Sequence, residues 1–174
     1  MRGGMMKKKK RAAGKAKSKR KIVKAKSRSK IEQALLTFAD GFSCSQAIAS
    51  ACGVDCGLSR EQLLKVSGAF GAGMARLAET CGAVTGAFMV IGLKHGRSKL
   101  EDQQSKEITY KLVQEFVSRF RARNGSIVCK ELLGCDLGTA QGLKAALEKN
   151  LIHDRCPKFV KDSAEILEEM LGAE

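Results

Sequence analysis

The sequence lacks three features that would each indicate a familiar class of protein. In the glycine-rich block Gly68–Gly96, the longest stretch without a charged residue, Thr80 to Leu93, is shorter than the ~20 apolar residues of a membrane-spanning helix. No apolar segment follows the charged start, which argues against a secretory signal. No Cys-x-x-Cys pair is present, so the spacings of zinc ribbons and ferredoxins are absent too. We therefore expect a cytoplasmic protein without a transmembrane segment, whose seven cysteines favour metal binding or redox chemistry.

Acidic residues are missing from the first thirty positions, which hold fifteen of the 32 Lys and Arg residues. The rest of the chain is nearly neutral, so the formal net charge of +14 belongs to this segment. Such a composition cannot bury enough apolar surface to fold alone, and we expect a disordered tail at residues 1–30 and one domain at residues 31–174. The tail would bind nucleic acid or another polyanion without sequence preference, because it carries charge but no interleaved aromatics.

The remaining chain has the spacing of helices. Apolar residues recur every three or four positions in Ile31–Phe38 and again in Ile108–Phe120, a long helix that Gly125 should end. Ser43 and Ser59 are placed to cap two others. We find no alternating strand pattern, so the sequence predicts an all-α helical bundle.

A glycine-rich block, Gly68–Gly96, surrounds Cys81 with small residues. Gly82, Ala83 and Gly86 leave one helical face almost without side-chain bulk, so that face can approach another backbone or a compact inorganic group. Each interior glycine costs a helix about 1 kcal/mol relative to alanine. Close packing around the cysteine therefore explains these glycines better than chance does. The pattern predicts a helix with Cys81 inside it.

The cysteines carry the chemistry that the residues indicate. Thiolate is the form that attacks disulfides and ligates metals, and a helix N-terminus favours it. Cys156 fits best, because Pro157 suits the first turn of a last helix that we expect to begin there. Cys44 and Cys129 also fall near expected helix starts, but spacing alone leaves open whether these thiols meet. The remaining candidates are interpreted as follows: Cys52 and Cys135 as core filling, Cys56 as a loop thiol separated from Cys52 by the helix-ending Gly53, and His153 as a surface residue in a polar loop.

Several blocks together resemble the redox-active family named for its C, CGAxxG, C, C pattern. They are GFSCSQA at 41–47, GAFGAGM at 68–74, CGAVTGAFMVIGL at 81–93, GSIVCKELLG at 125–134 and the late Cys156. The resemblance covers roughly residues 31–171 and implies a small helical redox protein. When the family's motif is aligned with this sequence, its cysteines correspond to Cys44, Cys81, Cys129 and Cys156, and its glycines correspond to Gly82 and Gly86. The chain departs from the pattern at Ala72, where a third glycine is common, and in its three extra cysteines.

The resemblance implies a function that uses the four motif cysteines. A similar helical module occurs in a split-Soret type cytochrome, where cysteines hold an iron–sulfur centre. We therefore expect these cysteines to ligate an iron–sulfur cluster for electron transfer or sensing, with Gly82, Ala83 and Gly86 making room and supplying N–H donors. Two alternatives remain: catalytic cysteines that exchange disulfides with a redox partner protein, or a structural zinc site. The sequence shows no acid–base pair of the kind that would indicate an enzyme. Electron transfer does not need such a pair.

Overall fold

A computed structural model describes residues 28–172, and within that range the chain is helical. The helices are α1 (Lys30–Ala39), α2 (Cys44–Cys52), α3 (Arg60–Ser67), the single turn α4 (Gly71–Met74), α5 (Gly82–His95), α6 (Gln103–Asn124), α7 (Cys129–Leu133), α8 (Ala140–Glu148) and α9 (Leu151–Leu171). Two 3-10 turns, Val54–Cys56 and Gly68–Phe70, connect some of them. The prediction of an all-α fold is confirmed. The expected tail lies largely outside the described residues, which begin at 28.

Serine caps fix the starts of the first three long helices. Ser29, Ser43 and Ser59 each accept a hydrogen bond from the backbone N–H three residues on. The side chain at that third position, Glu32 in α1, accepts a hydrogen bond from the capping residue's N–H, and glutamines do the same in α2 and α3. Such reciprocal pairs satisfy backbone donors that a helix start otherwise leaves free. The expected caps at Ser43 and Ser59 are confirmed, whereas Lys30, which the sequence places in the tail, begins α1.

Helices α2 and α5 form the centre of the bundle. All but one residue of α2 is buried, and this helix packs against α1, α3, α5 and α9. The expected end of α6 at Gly125 is confirmed, and α6 lies against α5 and α9 through a row of phenylalanine rings. Phe116 and Phe120 in that row are fully buried. None of the helices within residues 28–172 combines the length and apolarity needed to cross a membrane.

The start of α9 differs from the prediction. The helix begins at Leu151, and Cys156 and Pro157 lie inside it rather than at its start. Asn150, which adopts left-handed backbone angles (φ 52°), marks the change of direction from α8 into α9. Pro157 is the seventh residue of α9, beyond the first turn in which N–H groups lack an acceptor, so it removes one helical hydrogen bond there. The proline signal therefore located the helix but placed its first residue five positions too late.

The segment before Cys81 also departs from the expected helix. From Ala72 to Arg76 every residue has positive φ, between 54° and 70°. Together they form a left-handed turn that is closed by a hydrogen bond from the Ala75 N–H to the Gly71 carbonyl oxygen (2.8 Å). Left-handed angles cost residues other than glycine roughly 1–2 kcal/mol each, so the turn persists only because its surroundings hold it.

We expect Ala75→Gly to stabilise the protein by about 1 kcal/mol, because glycine adopts the angles of this exposed position (φ 54°, ψ 42°) without a Cβ penalty. Chemical denaturation of the metal-free protein measures the change. The matched control is Ala145→Gly in the right-handed helix α8, where the same substitution should destabilise by about 1 kcal/mol. Equal effects of the two substitutions would contradict a left-handed turn at residue 75.

Candidate four-cysteine site

Three of the four predicted site cysteines stand at helix starts. Cys44 is the first residue of α2 and Cys129 the first residue of α7, as expected. Cys81 is the residue that precedes α5, so its expected position inside a helix is wrong. Cys156 is the sixth residue of α9, one and a half turns from the helix start. The thiols of Cys44 and Cys81 thus lie at the positive ends of two central helices.

The structure brings all four of these cysteines to one cavity. We call it the four-cysteine cavity; its volume is about 510 Å³. Each of the four residues is at most 7 % exposed. The rest of the wall is mainly apolar, with a few polar groups: Phe38, Phe42, Leu132, Leu133, Ile152 and Phe159, and Ser43, Gln46 and His153. Cysteines from four separate helix regions therefore line one partly open, largely apolar space.

A short antiparallel pairing holds Cys81 and Cys129 in register. Thr80 and Val128 form an isolated bridge. On either side of it, the Cys129 N–H donates to the carbonyl oxygen of Glu79 (2.6 Å), and the Cys81 N–H donates to that of Ile127 (2.8 Å). These bonds tie the start of α5 to the start of α7. Backbone hydrogen bonds thereby fix the positions of Cys81 and Cys129 relative to each other.

Glycines of α5 allow the thiols of Cys44 and Cys81 to share the cavity. A Cβ on Gly82 would lie 3.2 Å from the Cβ of Cys44, and one on Gly86 would lie 2.8 Å from the carbonyl oxygen of Ser45. Glycine at both positions lets α5 approach α2 more closely than larger residues would. Gly82 lines the four-cysteine cavity, whereas Ala83 and Gly86 are buried outside its wall. Their predicted role as cofactor neighbours stays a prediction.

Two further glycines, which the sequence did not single out as site residues, support the same cavity. A Cβ on Gly73 would lie 2.6 Å from the Cβ of Cys129, and Gly73 has a left-handed φ of 68°. A Cβ on Gly71 would collide with the side chain of Ser43, the cap of α2. Both belong to the GAFGAGM block, whose glycine spacing was the available signal. The strained left-handed turn therefore packs directly against Cys129 and against the residue before Cys44.

Burial and mutual contact give the four thiols different pKa values. A hydrogen bond between Cys44 and Cys156 is the main cause that raises the pKa of Cys44 and lowers the pKa of Cys156. Burial is the main cause that raises the pKa of Cys81 to about 11, although the backbone amides of Ala83 and Val84 oppose it. Burial likewise raises the pKa of Cys129 to about 12. Cys156 is thus the thiol of this group whose pKa is lowered, and it loses its proton most readily.

The other cysteines lie outside the four-cysteine cavity, whereas His153 lines it. All seven cysteines are within the described residues, and each is a free thiol. Cys52 is buried as expected, Cys135 is only half buried, and neither they nor Cys56 line the four-cysteine cavity. His153, expected in a polar loop, is instead an exposed residue of the first turn of α9 at the cavity wall. Among residues 28–172, no three His, Cys, Asp or Glu residues have an arrangement that would hold a single metal ion.

Comparison with known proteins identifies one family. Residues 42–170 match the sequence model of the family described as "Putative redox-active protein (C_GCAxxG_C_C)". The match spans about three quarters of the chain and includes all four cysteines of the cavity. No curated protein matches the chain. No solved structure matches it either.

Proposed function

Because this chain belongs to the redox-active protein family C_GCAxxG_C_C, we propose that its four-cysteine cavity ligates an iron–sulfur cluster and serves electron transfer or sensing. The single observation that carries the proposal is the convergence of four buried thiols on one cavity. Iron–sulfur clusters are held by cysteine thiolates, most often by four. When bound, a cluster supplies reversible one-electron chemistry. A buried, mainly apolar wall limits solvent exposure, which is one determinant of a cluster's potential.

The chain's own residues fit such a group in three ways. The donor set consists only of soft sulfur ligands, which select iron–sulfur clusters, zinc or copper(I) over hard cations. The starts of α2 and α5 place positive helix ends beside Cys44 and Cys81, and this potential stabilises thiolates. The volume of about 510 Å³ offers space for a compact inorganic group within the apolar wall. These features support ligation.

The pKa values of the thiols predict that cluster loading depends on pH. Ligation requires thiolates, so each thiol whose pKa is raised releases its proton when a cluster is bound. The pKa of Cys81 is about 11 and that of Cys129 about 12, so both are protonated near neutral pH before ligation. Protons therefore compete less with iron for the thiolates as the pH rises. Cluster loading should become more favourable as the pH approaches the pKa values of Cys81 and Cys129.

We expect protein prepared without oxygen to contain iron and acid-labile sulfide and to absorb visible light above the protein band. Metal and sulfide analysis, with the absorption spectrum before and after a chelator, checks this expectation. Protein that binds zinc but neither iron nor sulfide would instead support the structural zinc site. Colourless protein without any bound metal would remove cluster ligation as the function.

One contact supports a second candidate, thiol–disulfide exchange without metal. The interaction of the Cys44 and Cys156 side chains raises the pKa of Cys44 and lowers that of Cys156, as in a pair with one nucleophilic and one resolving thiol. Oxidation of that pair would transfer two electrons and two protons to a disulfide of a redox partner. The burial of both thiols works against it, because exchange needs direct access to a sulfur. An unchanged thiol titre with and without reductant, in metal-free protein, would exclude this candidate.

A further inference from the structure

A second cavity contains two of the three cysteines outside the four-cysteine cavity. Its volume is about 820 Å³, and Cys52, Cys56 and Lys30 are part of its wall. The two cavities share no lining residue within the described chain. Cys44 begins α2 and Cys52 ends it, about 12 Å farther along the helix axis, so the two cavities lie at opposite ends of one helix.

The backbone brings Cys52 and Cys56 together at the end of α2. Gly53 ends the helix but keeps right-handed angles (φ −98°, ψ −6°), and the 3-10 turn Val54–Cys56 follows at once. The Cys56 N–H donates to the carbonyl oxygen of Gly53 (3.0 Å), which closes this turn. The expected end of α2 at Gly53 is confirmed, but the 3-10 turn that follows keeps the chain coiled, and both cysteines line one cavity.

The two thiols differ in access and share a positive neighbour. Cys52 is 6 % exposed, and burial raises its pKa to about 12, whereas Cys56 is only half buried. The Lys30 ammonium lies 3.0 Å from a carboxylate oxygen of Asp55, the residue just before Cys56. Its charge lowers the pKa of Cys52, and both cysteines help to raise the pKa of Lys30. The ammonium thus offsets part of the rise that burial causes in the pKa of Cys52, and Cys56 is the thiol that a reagent can reach.

We propose that Cys52 and Cys56 form a second redox site, a dithiol that small disulfide compounds oxidise to an intramolecular disulfide. The Cys56 thiolate attacks the S–S bond of the small disulfide, which leaves a mixed disulfide on Cys56 and releases one small thiol. Cys52 then attacks the Cys56 sulfur, forms the Cys52–Cys56 bond and releases the second small thiol. Two electrons leave the protein and reduce the small disulfide, and the two cysteine protons end on the two released thiols.

Closing this bond requires the 3-10 turn to move slightly. Cβ atoms one helical turn apart are typically about 5–6 Å from each other, whereas a disulfide needs about 3.5–4.5 Å. The turn is three residues long and is followed by Gly57, which has a φ of 94° and no atom within 4 Å of an added Cβ. Gly57 therefore places no steric obstacle beside the end of the turn. Asp55 lies in the turn, so oxidation also displaces the ion-pair partner of Lys30.

Disulfide mapping on the full-length protein tests the proposal. Reduced, oxygen-free protein is incubated with oxidised glutathione, its free thiols are alkylated, and the peptides are analysed by mass spectrometry. Trypsin leaves Cys44, Cys52 and Cys56 in one peptide, residues 31–60, so a second cleavage before aspartate is needed to produce peptides 40–54 and 55–60. We expect these two peptides to be linked, with fragment ions that place the bond at Cys52 rather than at Cys44.

Two variants and a matched control complete the test. Cys52→Ser should retain glutathione on Cys56, because the resolving thiol is missing, and Cys56→Ser should leave Cys52 unmodified. Cys135→Ser, which removes another half-buried cysteine outside both cavities, should form the wild-type link. The proposal would be overturned if folded wild-type protein formed no Cys52–Cys56 link. It would also be overturned if the mixed disulfide on Cys56 persisted in the wild type as it does in Cys52→Ser. Cys56→Ser should keep the wild-type iron and sulfide content, so the outcome is separable from that for the four-cysteine cavity.

Discussion

Cys81→Ser is expected to lose bound iron and sulfide almost completely, at least tenfold relative to the wild type in protein prepared without oxygen. The substitution removes one of four sulfur ligands and leaves a hydroxyl, which is a harder and much less acidic donor than a thiol. Even residues that only orient a metal ligand typically change affinity by about 10–100-fold, so the loss of a ligand should exceed that range. Metal and sulfide analysis per chain, together with visible absorption, measures the effect.

The matched control for this variant is Cys135→Ser, because Cys135 lies outside the four-cysteine cavity. Its iron content should equal that of the wild type. Circular dichroism and the unfolding midpoint of both variants, measured without metal, separate a lost ligand from a lost fold. If folded Cys81→Ser keeps its full iron content, Cys81 is not a ligand. If Cys135→Ser loses iron as strongly as Cys81→Ser, the ligand set is wrong.

Local signals predicted the helix starts that serine caps define. Ser43 precedes Cys44, and its reciprocal bonds with the side chain three residues on are visible in the sequence as a capping box. Cys81 offered no such signal, since this residue itself precedes α5 without a capping hydrogen bond from its side chain. Pro157 misplaced the start of α9, because proline usually marks the first helical turn but here occupies an interior position, the seventh residue of the helix.

The geometry of the cavity depends on contacts between distant parts of the chain, which periodicity cannot predict. The backbone bonds of Cys81 with Ile127 join segments more than forty residues apart. The left-handed turn before Cys81 consists mostly of residues that prefer right-handed angles, so tertiary contacts such as that of Gly73 with Cys129 must hold it. The family resemblance named the four cysteines that meet at one cavity, but their order in the sequence contains no information on these contacts.

The same substitution at two glycines of α5 should have opposite effects on stability. At Gly86 an added Cβ would lie 2.8 Å from the carbonyl oxygen of Ser45 and 3.0 Å from the Cβ of Ile48, so Gly86→Ala forces α5 away from α2. Such overpacking costs about 1–3 kcal/mol, and more where backbone must shift. The gain of about 1 kcal/mol in helix propensity offsets part of this cost. We expect a net loss of about 1–2 kcal/mol.

Gly92→Ala provides the control within the same helix, because an added Cβ there has no neighbour within 4 Å. Only the propensity gain remains, so this variant should be more stable than the wild type by about 0.5–1 kcal/mol. Urea denaturation of the metal-free proteins gives both values. Gly86→Ala should also lower iron loading, since it separates the helices whose starts carry Cys44 and Cys81. If Gly86→Ala is as stable and as iron-rich as Gly92→Ala, the close approach of α2 and α5 does not set the spacing of the thiols.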